Sequence, residues 1–116
     1  MPSRTEHLAL RDILENIVLA QSFSQGLSLR EFEADRRTVY AVTRCLEIIS
    51  EASRRLTPEL KERHPGIDWI KIAASGNIYR HGYQVVRDEI LWNTLQHALE
   101  SLKAVIEEEL RRLEGG

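Results

Sequence analysis

The stretch Gly76-Asn77-Ile78-Tyr79-Arg80-His81-Gly82-Tyr83 gathers an amide, a cation, an imidazole and a phenol into eight residues. A histidine moves protons near neutral pH, an arginine holds a phosphate and stabilises charge developing on it, and Asn and Tyr orient ribose or phosphate oxygens. Those are the groups that RNA cleavage without a metal requires. On a helix, Asn77, Arg80, His81 and Gln84 fall on one side by the three- and four-residue rule, with Tyr83 near Arg80. Arg80 and His81 stand about 100° apart around the axis, which limits how closely both can serve one atom. The bland alternative is a solvated helix face ending in a capping histidine.

Other reactive side chains are less promising. Cys45 lies in an apolar helical run and reads as a small buried hydrophobe rather than a nucleophile. Ser50 and Ser53 have no histidine placed to complete a hydrolase triad and read as packing residues. Glu51, in Cys45-Leu-Glu-Ile-Ile-Ser-Glu-Ala-Ser53, is a carboxylate on a largely apolar stretch; it calls for Arg80, His81 or a backbone amide as partner, or else for exposure. His7, His64, His81 and His97 are scattered, with no His-x-x-x-His pair and one cysteine, so neither a metal nor another cofactor is expected. Gly76 and Gly82 are isolated and do not form a phosphate-binding glycine loop. Trp69 and Trp92, at helical spacing among apolar residues, read as packing residues.

Helices must position these groups, because apolar residues recur every three or four positions and almost nothing alternates as a strand would. A first helix is expected from about Thr5 to Phe23, with Leu10, Ile13, Leu14, Ile17 and Val18 as its stripe. Ser28 and Glu31 form a capping box for a second, long helix carrying Phe32, Val39, Leu46, Ile49 and Leu56. Thr57 caps a short helix from Pro58 to about Arg63, and Asp68 caps another that begins at Trp69 and bends or ends near Gly76. The last helix carries one stripe from Ile90 through Leu91, Leu95, Ala98, Leu99, Leu102, Val105, Ile106 and Leu110 to Leu113. The expected fold is all-α: an up-and-down bundle of four main helices plus a short one, a single domain over residues 1–116 with residues 114–116 as a flexible tail.

The 116 residues suffice for one core without staples, and the lone cysteine suits a reducing cytoplasm. With a formal charge of −2 and 29% charged residues, any RNA contact has to be local. No window approaches the roughly 18 to 20 apolar residues of a membrane span. Leu, Ile and Trp on more than one helical face predict a homodimer.

Four segments in series, Leu46-Glu-Ile-Ile-Ser-Glu-Ala52, Leu60-Lys-Glu-Arg-His-Pro-Gly-Ile-Asp-Trp69, Asn77 to Tyr83 and Ile90-Leu-Trp92, resemble the HepT-like toxins of the HEPN superfamily over nearly the whole chain. The resemblance implies a small helical, usually homodimeric, metal-independent RNA-cutting toxin. It implies an MntA-like nucleotidyltransferase antitoxin as partner, which silences the toxin by attaching AMP to the motif tyrosine, here Tyr83. The family's motif is an arginine, four intervening residues and His-x-Tyr, with an asparagine commonly following the arginine. His81-Gly82-Tyr83 and Asn77 match it, whereas Gly76 stands where the arginine is expected and Arg80 directly precedes the histidine. The roles this implies are acid/base for His81, charge stabilisation for Arg80, orientation for Asn77 and Tyr83, and support of Arg80 for Glu51. The alternative is a catalytically silent HEPN module that binds a nucleotidyltransferase.

Overall fold

A computed structural model describes residues 4–81 and 84–115, with side chains described at all of these positions except 80, 81 and 84–86. Every element among them is helical: α1 (Arg4–Ser24), α2 (Leu29–Ala34), α3 (Arg36–Ser53), α4 (Pro58–Arg63), α5 (Trp69–His81), α6 (Gln84–Asn93), a π-helical turn (Thr94–Ala98) and α7 (Leu99–Glu114). No helix among the described residues is long and apolar enough to cross a membrane.

α3 is the central rod. It packs along α1 on one side and along α5 on the other, and it touches α2 and α6 near its start, while α7 closes over α1. The core follows the 3.6-residue stripes: Leu10, Ile13 and Ile17 from α1, Val39 and Val42 from α3, Phe32 from α2, Leu91 from α6 and Ile106 from α7 are fully buried. Phe32 packs against Trp92 with ring centroids 5.4 Å apart. Trp69 is buried and donates its indole N–H to the carbonyls of Lys61 and His64 at 3.2 and 3.1 Å, so both tryptophans are packing residues, as their spacing predicts. Val18, expected in the α1 stripe, is instead 46% exposed.

Three boundaries depart from the sequence reading, each for a local reason. The long second helix is two. Ser28 and Glu31 form the expected capping box, but Asp35 leaves helical geometry at φ −93° and ψ 90° and caps α3, its carboxylate accepting the Thr38 N–H at 3.2 Å and hydroxyl at 2.8 Å. Phe32 and Val39 are buried on either side of this break, so the apolar spacing conceals it.

The last helix contains a π turn. From Leu91 to Leu95 to Leu99 the stripe takes two four-residue steps, overrunning the helical period by about 80°, which a wider turn absorbs. Thr94 occupies the Ile90 carbonyl with its own hydroxyl at 2.9 Å, and the Leu99 N–H reaches back five residues to the Thr94 carbonyl. Finally, Glu114 belongs to α7 rather than to a tail. Its carboxylate ion-pairs with Arg11 and lies 2.5 Å from His7 Nε2, tying the two ends of the chain together. Gly116 lies outside the described residues.

Polar pins fix the shorter pieces. Glu6 accepts the Thr57 N–H at 2.7 Å, anchoring the turn into α4. Glu109 on α7 is 2% exposed and receives a fork from Arg63 (2.7 and 3.2 Å), with His64 Nε2 2.6 Å away, which clamps the end of α4. Burial alone would push the Glu109 pKa up, but the bonds from Arg63 and His64 outweigh it and hold it below the ordinary 4.5. Hydrogen bonds from Arg11 and then His7 likewise lower Glu114.

Both folded-state values are depressed, so the stabilisation these carboxylates confer is complete above the unfolded value of 4.5 and is lost as pH falls through the folded values below it. Glu109→Gln keeps the shape and removes the charge. Chemical denaturation at neutral pH should show it less stable by about 2 kcal/mol, the scale of hydrogen bonds to a buried charge. The difference from the parent should shrink on acidification below the carboxylate range.

Candidate functional site at the end of helix α5

α5 begins as the sequence predicts, with Asp68 Oδ1 accepting the Lys71 N–H at 3.0 Å, but it does not stop at Gly76. The helix runs through that glycine to His81. Gly76 is buried where α5 meets α3, and its N–H also reaches the Ser50 hydroxyl oxygen at 3.2 Å. The same Ser50 hydroxyl donates to the Ala73 carbonyl at 3.0 Å, and Arg54 Nη2 donates to that carbonyl at 2.7 Å. Ser50 thus has a specific role that its reading as a packing residue does not contain: it hydrogen-bonds one helix to the other. Ser53 is buried and bonds back to its own helix, at the Ser50 carbonyl.

These bonds set an antiparallel register, Arg54 and Ser50 against Ala73 and Gly76. One turn towards the start of α3 therefore corresponds to one turn towards the end of α5. By that register Glu47, which is half-buried, comes level with the last turn of α5, where Arg80 stands. Glu51, the carboxylate singled out from sequence, is exposed on α3 beside the Ser50–Gly76 crossing. Glu47 was passed over because an acid in an amphipathic helix carries no signal of its partner until the register is known.

Asn77 is exposed on α5, and Tyr79 beneath it is 4% exposed and belongs to the core. Arg80 and His81 form the C-terminal end of the α5 backbone; their side chains lie outside the described ones. Gly82 and Tyr83 lie outside the described residues altogether. Gln84 opens α6 and so does not continue the helical face of Asn77 and His81, contrary to the single-helix reading.

α6 is held where it leaves the motif by Asp88, 2% exposed, whose Oδ2 accepts from Arg36 at 2.8 Å. Arg36 also donates to the Glu33 carbonyl and lies 5.6 Å over the Tyr40 ring. The Cys45 thiol is buried, and desolvation pushes its pKa up, which leaves it a packing group and not a nucleophile. His7 and His64 are engaged with Glu114 and Glu109, so two of the four histidines serve the fold. Among the described residues no three His, Cys, Asp or Glu side chains group together as metal ligands would.

The arrangement is therefore a helix end carrying Asn77, Arg80 and His81, set by a serine-mediated crossing and bounded by a carboxylate one turn along α3. A family model described as ribonuclease HepT-like matches residues 13–109, from within α1 almost to the end of α7. The chain belongs to the HepT-like family. A protein named "Probable ribonuclease HepT" from Thermococcus cleftensis is 37% identical over 98 residues, covering 84% of this chain and 89% of that protein. One named "Putative RNase MJ1216" from Methanocaldococcus jannaschii is 30% identical over 115 residues, covering 99% of this chain and 95% of the relative. No solved structure matches the chain. The HepT-like match includes the whole α3–α5 crossing and the end of α5.

Ser50→Ala removes both hydrogen bonds that its hydroxyl makes to α5. It should lower the free energy of unfolding by about 1–2 kcal/mol in denaturant titrations. Glu51→Gln, at an exposed position, should stay within about 0.5 kcal/mol of the parent. Equal effects of the two substitutions would contradict the register described here.

Proposed function

We propose that this HepT-like chain is a metal-independent endoribonuclease and the toxin of a HepT/MntA-type pair. The observation that carries the reading is the HepT-like match over residues 13–109, within which Asn77, Arg80 and His81 occupy the end of one helix. The names of the relatives, all ribonucleases of this type, support the same reaction class.

In the reaction, the ribose 2′-oxygen attacks the adjacent phosphorus while His81 accepts its proton, and the bond to the 5′-oxygen of the next nucleotide breaks. The products are a 2′,3′-cyclic phosphate and a 5′-hydroxyl. Arg80 stabilises the charge that develops on the non-bridging oxygens. Asn77 and Tyr83 orient the phosphate or the imidazole. Support for Arg80 comes from a carboxylate of α3: Glu51 by the sequence reading, Glu47 by the helix register. The active form is a homodimer in the cytoplasm, and exposed Ile70 and Ile78 on α5 supply apolar surface beside the motif for a second copy.

An MntA-like nucleotidyltransferase silences the protein by transferring AMP to the Tyr83 hydroxyl. A bulky anion two residues from His81 fills the cleft and repels RNA phosphate. A second reading, a catalytically silent module that docks on that nucleotidyltransferase, is favoured by one feature: glycine stands at position 76, where the family has its arginine, and the position is buried against Ser50.

Two experiments test the proposal. Purified unmodified protein should cleave transfer RNA or total RNA in EDTA, and His81→Ala should reduce the rate by about 100-fold or more without altering the far-ultraviolet circular dichroism. Unchanged cleavage by that variant would remove His81 from the mechanism. Co-expression with the adjacent nucleotidyltransferase should add AMP masses that Tyr83→Phe abolishes; an unaltered mass of the parent protein would overturn the proposed regulation.

A further inference from the structure

A groove of about 600 Å³ opens between α5 and the rod formed by α6, the π turn and α7, a volume in the range that holds small organic ligands. Its floor is apolar, formed by Ile72, Ile90 and Leu102, with the Tyr79 side chain beside them. Three hydroxyls stand around it: Ser75 from α5, Thr94 from the π turn and Ser101 from α7. Each spends its proton on its own helix. Ser75 donates to the Ile72 carbonyl at 2.7 Å, Thr94 to the Ile90 carbonyl at 2.9 Å, and Ser101 to the Ala98 carbonyl at 3.1 Å. What remains towards the groove is oxygen lone pairs, so the hydroxyl ring accepts hydrogen bonds and does not offer them.

The rim adds a cation and an imidazole. Lys71 and His97 both line the groove, both are exposed, and neither side chain has a hydrogen-bond or ion-pair partner among the described residues. His97 sits within the π turn. Asp68, the anion at the same rim, directs one carboxylate oxygen to the Lys71 N–H that it caps.

We infer that this groove holds one unpaired nucleotide whose base carries an exocyclic amino group, with its phosphate at Lys71. The inference rests on the ribonuclease reading for its substrate class and goes beyond it in assigning a base-selective subsite. A flat base fits an apolar floor, and an amino group supplies the donors that three committed hydroxyls lack. Adenine, cytosine and guanine have that group. Uracil does not: it presents carbonyl oxygens on both sides of its single ring N–H, and these would face oxygen lone pairs in a low-dielectric slot, the kind of mismatch that sites built on hydrogen bonds reject strongly. An apolar helix from a partner would leave the same oxygens unmatched. Ser75 and Ile78 on the groove wall precede His81 on the same helix by six and three residues, roughly 9 and 5 Å of rise, so a nucleotide seated there lies next to the motif.

The test is a titration of the full-length protein with AMP, CMP, GMP and UMP, followed by backbone amide NMR shifts, with cleavage of RNA in EDTA measured in parallel. Saturable shifts confined to the groove residues, with AMP and CMP at least fivefold tighter than UMP, are expected. Ser75→Ala combined with Ser101→Ala should reduce that discrimination below twofold. Lys71→Ala should weaken AMP at least threefold and leave adenosine unchanged. Absent saturation, equal affinity for UMP, or groove shifts that track protein concentration instead of nucleotide, as a second copy seated there would produce, would each overturn the inference. Cleavage without mononucleotide binding defeats the subsite and leaves the ribonuclease reading intact; amino-base-selective binding without cleavage retains the groove and defeats the ribonuclease reading.

Discussion

The crossing of α3 and α5 through the Ser50 hydroxyl is the contact on which the site depends. One side chain, 2% exposed, donates to the Ala73 carbonyl and accepts from the Gly76 N–H, so the helix that ends in Arg80-His81 is fixed in height against the central rod. A buried hydroxyl with both capacities engaged resists sliding in a way that apolar packing alone does not, because slippage would leave two polar groups unpaired in the interior. The position of Asn77, the height of Glu47 and the distance of the groove from the motif all follow from that register.

The remaining polar pins act at the periphery and serve the same end. Glu109 gathers Arg63 and His64 and so holds α4 against α7, close to the loop from which α5 starts. Asp88 takes Arg36 and holds α6 to the beginning of α3. The motif therefore lies between two helices that are each tied to other parts of the bundle by a carboxylate less than 5% exposed. Both ties use arginine, whose planar fork stays charged and matches a carboxylate with two parallel bonds.

Much of this was legible in the sequence. The all-α class, the capping box at Ser28, the start at Pro58 and the Asp68 cap follow from spacing and cap chemistry, and the HepT-like family follows from four ordered segments. The break at Asp35 was hidden because apolar spacing continues across it, and the π turn because a stripe of leucines does not reveal how wide each turn is. Gly76 read as a helix stop because glycine usually is one; packing against α3 overrides that local preference. The roles of Ser50 and Glu47 depend on which turn of α3 faces which turn of α5, a tertiary fact absent from either helix alone.

The central claim is that this bundle cuts RNA through His81 although glycine replaces the motif arginine. The most direct measurement is the chemistry of the ends produced when unmodified protein meets RNA in EDTA, read by mass spectrometry of the fragments. The account predicts fragments ending in a 2′,3′-cyclic phosphate or its 3′-phosphate hydrolysis product, paired with 5′-hydroxyl ends. Intact RNA, or fragments bearing 5′-phosphates, would contradict it.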